Sequence, residues 1–99
     1  MRTMMRVILD CDAGNQAVNN GRLAQVIEGL MNNAKPEAAY FTADGGKRTA
    51  YFFFDMKDSS QMPLLAEPAF QTLKAEVSFQ PVMTPEELQK GLQAASGSK

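Results

Sequence analysis

The sequence predicts an α+β fold in which one four-stranded antiparallel sheet carries helices on a single face. Four short segments alternate apolar and polar residues, as half-buried strands do. Longer segments between them repeat apolar residues at helical spacing. Their order along the chain is strand, helix, strand, strand, helix, strand and a last helix. With 99 residues, 44% of them hydrophobic, the chain has the size of one domain, expected at 1–94 ahead of a frayed tail at 95–99.

The first strand is expected at 4–11. Its apolar side would be formed by Met5, Val7, Leu9 and Cys11, and its other side by Arg6, Ile8 and Asp10. A single long helix should follow, with Asn15 as its N-cap and apolar residues at helical spacing from Val18 to Met31. Lys35-Pro36 should end it, because the residue before a proline is disfavoured in the α conformation.

A β-hairpin is predicted next, with strands at 37–43 and 47–56. Asp44-Gly45-Gly46 separates them, and tight hairpin turns need the positive φ angles that glycine adopts freely. A second helix should open at Asp58-Ser59-Ser60 and be kinked or split near Glu67, since Pro68 lacks a backbone donor. The expected inward stripe of this helix is Met62, Leu65, Ala69, Phe70 and Leu73.

A fourth strand is expected at 75–83, followed by a short helix. Thr84-Pro85-Glu86-Glu87 has the pattern of a capping box with proline in the first helical position. The helix would carry Leu88 and Leu92 on its apolar side.

These elements predict a ferredoxin-like βαββαβ fold with a C-terminal helix and strand order 4-1-3-2, because right-handed crossovers leave room for the hairpin strand. The residues expected to face the helices are Met5, Val7, Leu9, Ala39, Phe41, Phe52, Phe54, Val77 and Phe79. The opposite side, called the open face below, would carry Arg6, Ile8, Asp10, Tyr40, Thr42, Tyr51, Phe53, Glu76, Ser78 and Gln80.

The open face has more apolar and aromatic area than a small monomer leaves in water. We therefore expect a homodimer in which two open faces pack against each other as a dimeric α/β barrel, since symmetric dimers are the commonest oligomers. The alternative is a monomer whose terminal helix folds back over the open face.

Charge and composition exclude several function classes. A net charge of −1 gives no electrostatic footprint for nucleic acid. No apolar run is long enough to span a membrane or form a signal peptide, and one cysteine cannot form an internal disulfide. These features predict a cytoplasmic protein. Without histidine, the usual catalytic triads are also excluded.

Three stretches carry a resemblance that covers nearly the whole chain. AGNQAVNNGRL (13–23), KPEAAYFTADGGKRTAYFFFDM (35–56) and LAEPAFQTLKAEVSFQPVMTPEEL (65–88) resemble a family of small uncharacterised bacterial proteins. At the level of fold this family is similar to the dimeric α/β-barrel superfamily, which includes cofactor-independent monooxygenases, muconolactone isomerases, haem-degrading enzymes and amino-acid-sensing domains. The chain lacks the histidine and tryptophan that the haem-binding and quinol-type members use, so no cofactor is expected.

Other motifs have ordinary structural interpretations. Cys11 lies between two aspartates, which disfavour a thiolate, and its place in the alternation predicts a small buried hydrophobe. Asp10 and Asp12 could together hold a hard cation, but a capping or solvated role is favoured, and no metal site is predicted. The Gly45-Gly46-Lys47 segment lacks phosphate-loop spacing and leads into a strand.

The remaining candidate site is a ligand pocket on the open face, formed by Arg6, Asp10, Tyr40, Tyr51, Glu76 and Ser78. Arg6 could anchor a carboxylate or phosphate, and Glu76 could be a base if burial raises its pKa. The same residues could instead be the polar part of a dimer interface, which is the favoured interpretation because natural interfaces retain many polar groups. Arg6 and Glu76 could equally pair with each other or across the dimer.

Three functions remain open at this point. The first is a homodimer that binds a small organic molecule between its sheets. The second is a cofactor-independent isomerase or monooxygenase acting on a small aromatic or anionic substrate, in which Glu76 or Asp10 moves protons and a tyrosine stabilises negative charge. The third is a structural or regulatory protein-binding module.

Overall fold

A computed structural model describes residues 1–97 as one α+β domain with four strands and four helices. The elements in chain order are β1 (Arg2–Ile8), α1 (Cys11–Asn19), α2 (Arg22–Ala34), β2 (Ala38–Asp44), β3 (Lys47–Asp55), α3 (Gln61–Leu73), β4 (Glu76–Pro81) and α4 (Pro85–Gly97). Residues 98–99, part of the tail expected at 95–99, lie outside the described range. Within that range, no helix combines the length and apolar character needed to cross a membrane.

The four strands form one antiparallel sheet in the order β2-β3-β1-β4. Read from the β4 edge, this is 4-1-3-2, the order expected from the sequence. β1 is central and pairs with β3 on one side and β4 on the other. The two edge strands are β2 and β4. Two strands therefore have an unpaired backbone edge, and neither is β1, the strand that carries Arg6.

The hydrophobic core lies between the sheet and a layer formed by α1, α2 and α3. Met5, Phe52 and Phe54 from the sheet are fully buried against Leu65 and Leu73 of α3. Side chains alternate along a strand, so burial of these residues leaves the opposite set on the open face. The residues expected to face the helices are buried or partly buried except Phe41, which lies on the helix side, opposite Ala50, but has 55% of its surface exposed.

The first strand ends three residues earlier than expected. It stops at Ile8, and Asp10 then acts as the N-cap of α1 through a hydrogen bond from the Ala13 amide to its Oδ2 atom (2.9 Å). Asn15, predicted to be the cap, lies inside α1. Cys11, predicted to be a buried strand residue, is the first residue of α1 and is exposed. The capping preference of aspartate outweighs the short alternating pattern here.

The single long helix expected after the first strand is two helices. α1 ends at Asn19, and α2 begins at Arg22 after Gly21, which has φ +81°. This left-handed conformation is unfavourable for residues with a Cβ atom, and it turns the chain between the two helices. Of the expected apolar stripe, Val26 and Leu30 are buried in α2, whereas Val18 and Met31 at its two ends are exposed, and the spacing did not reveal the break.

Helix α3 is continuous through Pro68, where a kink or split was expected. Pro68 and Leu64, the residue whose carbonyl would have accepted the missing hydrogen bond, are both exposed. Solvent can therefore hydrogen-bond that carbonyl. The predicted inward stripe is correct for Leu65, Ala69 and Leu73. It is wrong for Met62 and Phe70, which are exposed and line a shallow groove against β4.

The hairpin between β2 and β3 has the predicted two-glycine turn. Gly45 and Gly46 have φ angles of +61° and +80°, the pair of positive angles that a type I′ turn requires. Asp44 pairs directly with Lys47 across it. The turn therefore fixes the register of β2 and β3, and with it the position of every side chain on both strands.

Helix α4 starts at the predicted capping box. The Thr84 amide donates to Glu87 Oε1 (2.7 Å), and the Glu87 amide donates to Thr84 Oγ1 (3.2 Å). The hydrogen bond from the Thr84 amide lowers the pKa of Glu87. The helix extends to Gly97, past the expected end at Ala94, and none of its residues is buried. The monomeric alternative required α4 to cover the open face, and the helix does not do so.

We predict opposite effects on stability for alanine at two glycines of the α1–α2 region. Gly21→Ala should lower the free energy of unfolding by about 1–2 kcal/mol, since its φ is left-handed. Gly29→Ala lies inside α2 with no atom near the added methyl, and should raise it by about 0.5–1 kcal/mol. Urea unfolding followed by circular dichroism measures both. Stabilisation by Gly21→Ala would mean that α1 and α2 join into one helix.

The capping box makes α4 sensitive to acid. Because the pKa of Glu87 in the helix lies below its ordinary value of 4.5, protonation disfavours the capped form, and α4 should lose order as the pH falls below about 4.5. Cα chemical shifts of residues 85–92, measured from pH 6 to pH 3, would show this. Glu87→Gln keeps an acceptor and should abolish the pH step, whereas Glu86→Gln should retain it. A step that survives Glu87→Gln would contradict the assignment.

Candidate functional site

Four of the six residues predicted for the ligand pocket lie in one row across the open face. Arg6 of β1 is opposite Ser78 of β4 on one side and opposite Tyr51 of β3 on the other, and Tyr51 is opposite Tyr40 of β2. The row therefore runs Ser78, Arg6, Tyr51, Tyr40, with the guanidinium group between a hydroxyl and two phenol rings. The strand alternation in the sequence was sufficient to place these side chains on one face.

The rows above and below are largely apolar at their centres. Met4 is opposite Phe53, and Ile8 is opposite Thr49. Met4, Ile8 and Phe53 are each half-buried. In the described part of the chain, the centre of the open face is thus an apolar surface that contains one cationic side chain, Arg6.

Arg6 makes two contacts on this face. Its Nη2 atom donates to Asp44 Oδ2 (3.2 Å), and its guanidinium carbon lies 6.0 Å from the centre of the Tyr51 ring, within the range of a cation–π interaction. Its Nε atom is buried and has no hydrogen-bond partner. An unpartnered buried donor is costly, so a shift of the Arg6 side chain that exposes this N–H to an acceptor would be favourable.

The two tyrosines differ in exposure. Tyr51, in the centre of the sheet, is half-buried, whereas 63% of the surface of Tyr40 on the edge strand is exposed. Tyr40 packs edge-to-face on Phe53, with ring centres 6.4 Å apart. The Tyr40 side chain therefore forms one rim of the open face.

Glu76 and Arg6 are not partners. The strand register places Glu76 opposite Ile8, one row away from Arg6, and the carboxylate that pairs with Arg6 is Asp44 from the end of β2. Glu76 is exposed, so it lacks the burial that its proposed role as a general base requires. Sequence reasoning missed Asp44 because it was assigned to the turn.

Asp10 does not belong to the open face. As the N-cap of α1 it lies beyond the end of β1, and its carboxylate is used by the Ala13 amide. Asp12 lies in the first turn of α1, where a negative charge interacts favourably with the helix dipole. Within residues 1–97, no group of three or more His, Cys, Asp or Glu side chains converges as a metal site would require.

A cavity that the sequence did not predict lies on the other side of the sheet. This helix-side cavity, between α2 and strands β2 and β3, has a volume of about 190 Å³. Its apolar walls include Val26, Leu30, Phe41, Ala50 and Phe52, and Arg48 contributes to its lining. The only signal in the sequence was that α2 carries apolar residues at Leu23 and Ile27 in addition to its buried stripe.

Comparison with protein-family models, curated proteins and solved structures finds no match to this chain. The resemblance to the dimeric α/β-barrel superfamily therefore stays a prediction, and the site must be interpreted from its own geometry.

The assignment of Asp10 as a helix cap predicts a graded effect of substitution on stability. Asp10→Ala removes the acceptor of the Ala13 amide and should lower the free energy of unfolding by about 1 kcal/mol. Asp10→Asn keeps an acceptor and should lose much less. Urea unfolding measures both variants, with Asp12→Ala as the control for charge in the same helical turn. Equal losses in Asp10→Ala and Asp10→Asn would show that the charge, and not the cap, is required.

Proposed function

We propose that this protein is a homodimer of ferredoxin-like subunits that binds a small organic anion between its two sheets. In this arrangement the open faces of two copies pack together as a dimeric α/β barrel. The proposal is supported by the apolar centre of the open face, where Met4, Ile8 and Phe53 are left half-buried in a single chain. Covering such a surface is favourable at about 25 cal/mol per Å² of apolar area.

The position of helix α4 also supports the proposal that a second copy packs on the open face. Arg2, on the open-face side of β1, pairs with Glu87 at the start of α4 (3.0 Å). The helix thus begins beside the open face, yet Leu88 and Leu92 are 47% and 57% exposed. A partner packed on the open face would lie next to these leucines and could cover both surfaces together.

The observation that carries the ligand part of the proposal is the state of Arg6. Among residues 1–97, its Nε atom has no partner and its Nη2 atom is bound only to Asp44, which is itself about half exposed. After a shift of the Arg6 side chain that exposes Nε, a carboxylate between the sheets would accept hydrogen bonds from Nε and a terminal nitrogen at once, the two-point geometry that arginine favours. Ser78, Tyr51 and Tyr40 would supply hydroxyl groups in the same row.

We propose binding in preference to catalysis because the two residues assigned to proton transfer do not support it. Asp10 is a helix cap away from the open face, and Glu76 is exposed and one row removed from Arg6. The isomerase or monooxygenase alternative therefore loses both residues that were assigned to it for proton transfer. The protein-binding alternative predicts a protein that carries no small molecule, so a measurement of bound mass distinguishes it from the proposal.

Native mass spectrometry of the freshly purified protein tests the proposal. We expect a dimer that carries additional mass from a small molecule. Ile8→Asp, which places a charge at the centre of the open face, should give a folded monomer. Arg6→Ala should stay dimeric and lose the additional mass, because the apolar contacts remain while the anion loses its partner. Arg22→Ala, an exposed arginine at the start of α2, is the matched control and should retain both.

Three results would contradict the proposal in different ways. A monomeric wild-type protein would refute the dimer. A dimer of bare chains that also binds no added carboxylate in a titration would refute the ligand and favour the structural or protein-binding function. Equal loss of dimer and ligand in Arg6→Ala would identify Arg6 as an interface residue. Circular dichroism of each variant tests whether it is folded. A change in the measured mass of a folded variant then reports loss of the dimer or of the bound small molecule.

A further inference from the structure

The helix-side cavity is separated from the open face by the sheet itself. Arg48, Ala50 and Phe52 alternate with Thr49, Tyr51 and Phe53 along β3, so the first three side chains point to the helix side. The cavity is bounded by α2 on one side and by β2 and β3 on the other. Nothing that binds between two open faces would enter it.

The cavity exists because the helices do not cover β2 fully. Phe41, on the helix side of this edge strand, is 55% exposed and packs edge-to-face on the buried Phe52, with ring centres 5.8 Å apart. Val26 and Leu30 of α2 form the facing wall. The result is a partly enclosed apolar space with two aromatic rings on one side and branched aliphatic side chains on the other.

The volume limits what the cavity can hold. At about 190 Å³ it is below the roughly 300–1,000 Å³ of pockets for drug-sized ligands. It is somewhat larger than an apolar cavity of about 150 Å³ that takes up benzene. A single six-membered ring with one short substituent, or a branched aliphatic group of similar size, fits this space, whereas a long acyl chain does not.

Among the residues that the structure describes, Arg48 is the one cationic residue in the cavity lining. Its Nη2 atom donates to Asn15 Oδ1 (3.1 Å), which holds the guanidinium against α1. The side chain passes over Gly14 so closely that a Cβ at that position would lie 2.9 Å from Nη1. None of the ion pairs within residues 1–97 involves Arg48. Its charge is therefore free to pair with an anion at the cavity.

We propose that the helix-side cavity binds a small monocarboxylate with a compact apolar body, of the size and shape of benzoate. The ring lies between Phe41 and Phe52 on the sheet and Val26 and Leu30 on α2, and the carboxylate pairs with the guanidinium of Arg48. Apolar walls with one convergent charged group are the usual composition of a small-molecule site. This site is distinct from the one proposed between the sheets, because it uses Arg48 in place of Arg6 and does not require a second copy.

Nuclear magnetic resonance of the wild-type protein with added benzoate tests the position of the site directly. We expect intermolecular nuclear Overhauser effects from the ring protons of benzoate to the methyl groups of Val26 and Leu30. Effects to the methyl groups of Met4 and Ile8 instead would place benzoate on the open face and overturn the proposal. The absence of effects to either set at millimolar benzoate would also overturn it.

A matched pair of substitutions then tests the role of charge. Arg48→Gln should weaken benzoate binding about tenfold, as expected for loss of a hydrogen-bonded ionic contact, whereas Arg6→Gln should leave it unchanged. Benzyl alcohol, which keeps the ring and lacks the anion, should bind wild type and Arg48→Gln equally. Benzoate affinity that follows Arg6 and not Arg48 would refute this site while supporting the one between the sheets.

Filling the cavity tests its volume independently of charge. Val26→Phe should abolish binding of both benzoate and benzyl alcohol, because the added ring occupies the space between α2 and the sheet. If this variant does not fold, Ala50→Val adds less volume from the opposite wall and should weaken both ligands. Unchanged affinity in a folded variant would contradict binding inside the cavity.

Discussion

The structure depends on the alternation of side chains across one sheet that has helices on only one side. Met5, Phe52 and Phe54 fill the core with α1, α2 and α3, so their neighbours in sequence have to point the other way. Within one chain, a strand of this sheet cannot bury the side chains of both faces, because helices cover only one of them. Burial of one face against helices therefore creates the open face, whose centre is formed by half-buried apolar residues.

Two arginines lie on opposite sides of the sheet and have different partners and surroundings. Arg6 lies in the centre of the open face with a carboxylate partner, Asp44, and a tyrosine ring beside it. Arg48 lies on the helix side, is held by the neutral amide of Asn15, and has no acidic partner in the part of the chain described here. In the proposed dimer, Arg6 would stabilise the interface or hold an anion between the two sheets. In the proposed helix-side site, Arg48 would pair with a small amphipathic anion.

Glycine positions determine the geometry around both sites. Gly21 turns the chain between α1 and α2, and α2 forms one wall of the helix-side cavity. Gly14 leaves the space through which the Arg48 side chain passes. Gly45 and Gly46 set the register of the hairpin and so bring Asp44 to the face that Arg6 occupies. In each case the absence of a side chain determines where a charged or apolar neighbour lies.

The sequence by itself determined the kind and order of the elements apart from the break between α1 and α2, the hairpin turn, the capping box of α4 and the placement of Ser78, Arg6, Tyr51 and Tyr40 on one face. These features follow from local periodicity and from the backbone preferences of glycine and proline, which act within a few residues. Only the tertiary structure decided that Asp10 caps a helix, that Cys11 is exposed, that Arg6 pairs with Asp44 in place of Glu76, and that a cavity exists beside Arg48. Those outcomes depend on strand register and on how far the helices extend over the edge strand β2. Both are set by contacts between residues distant in sequence, for which local patterns carry no information.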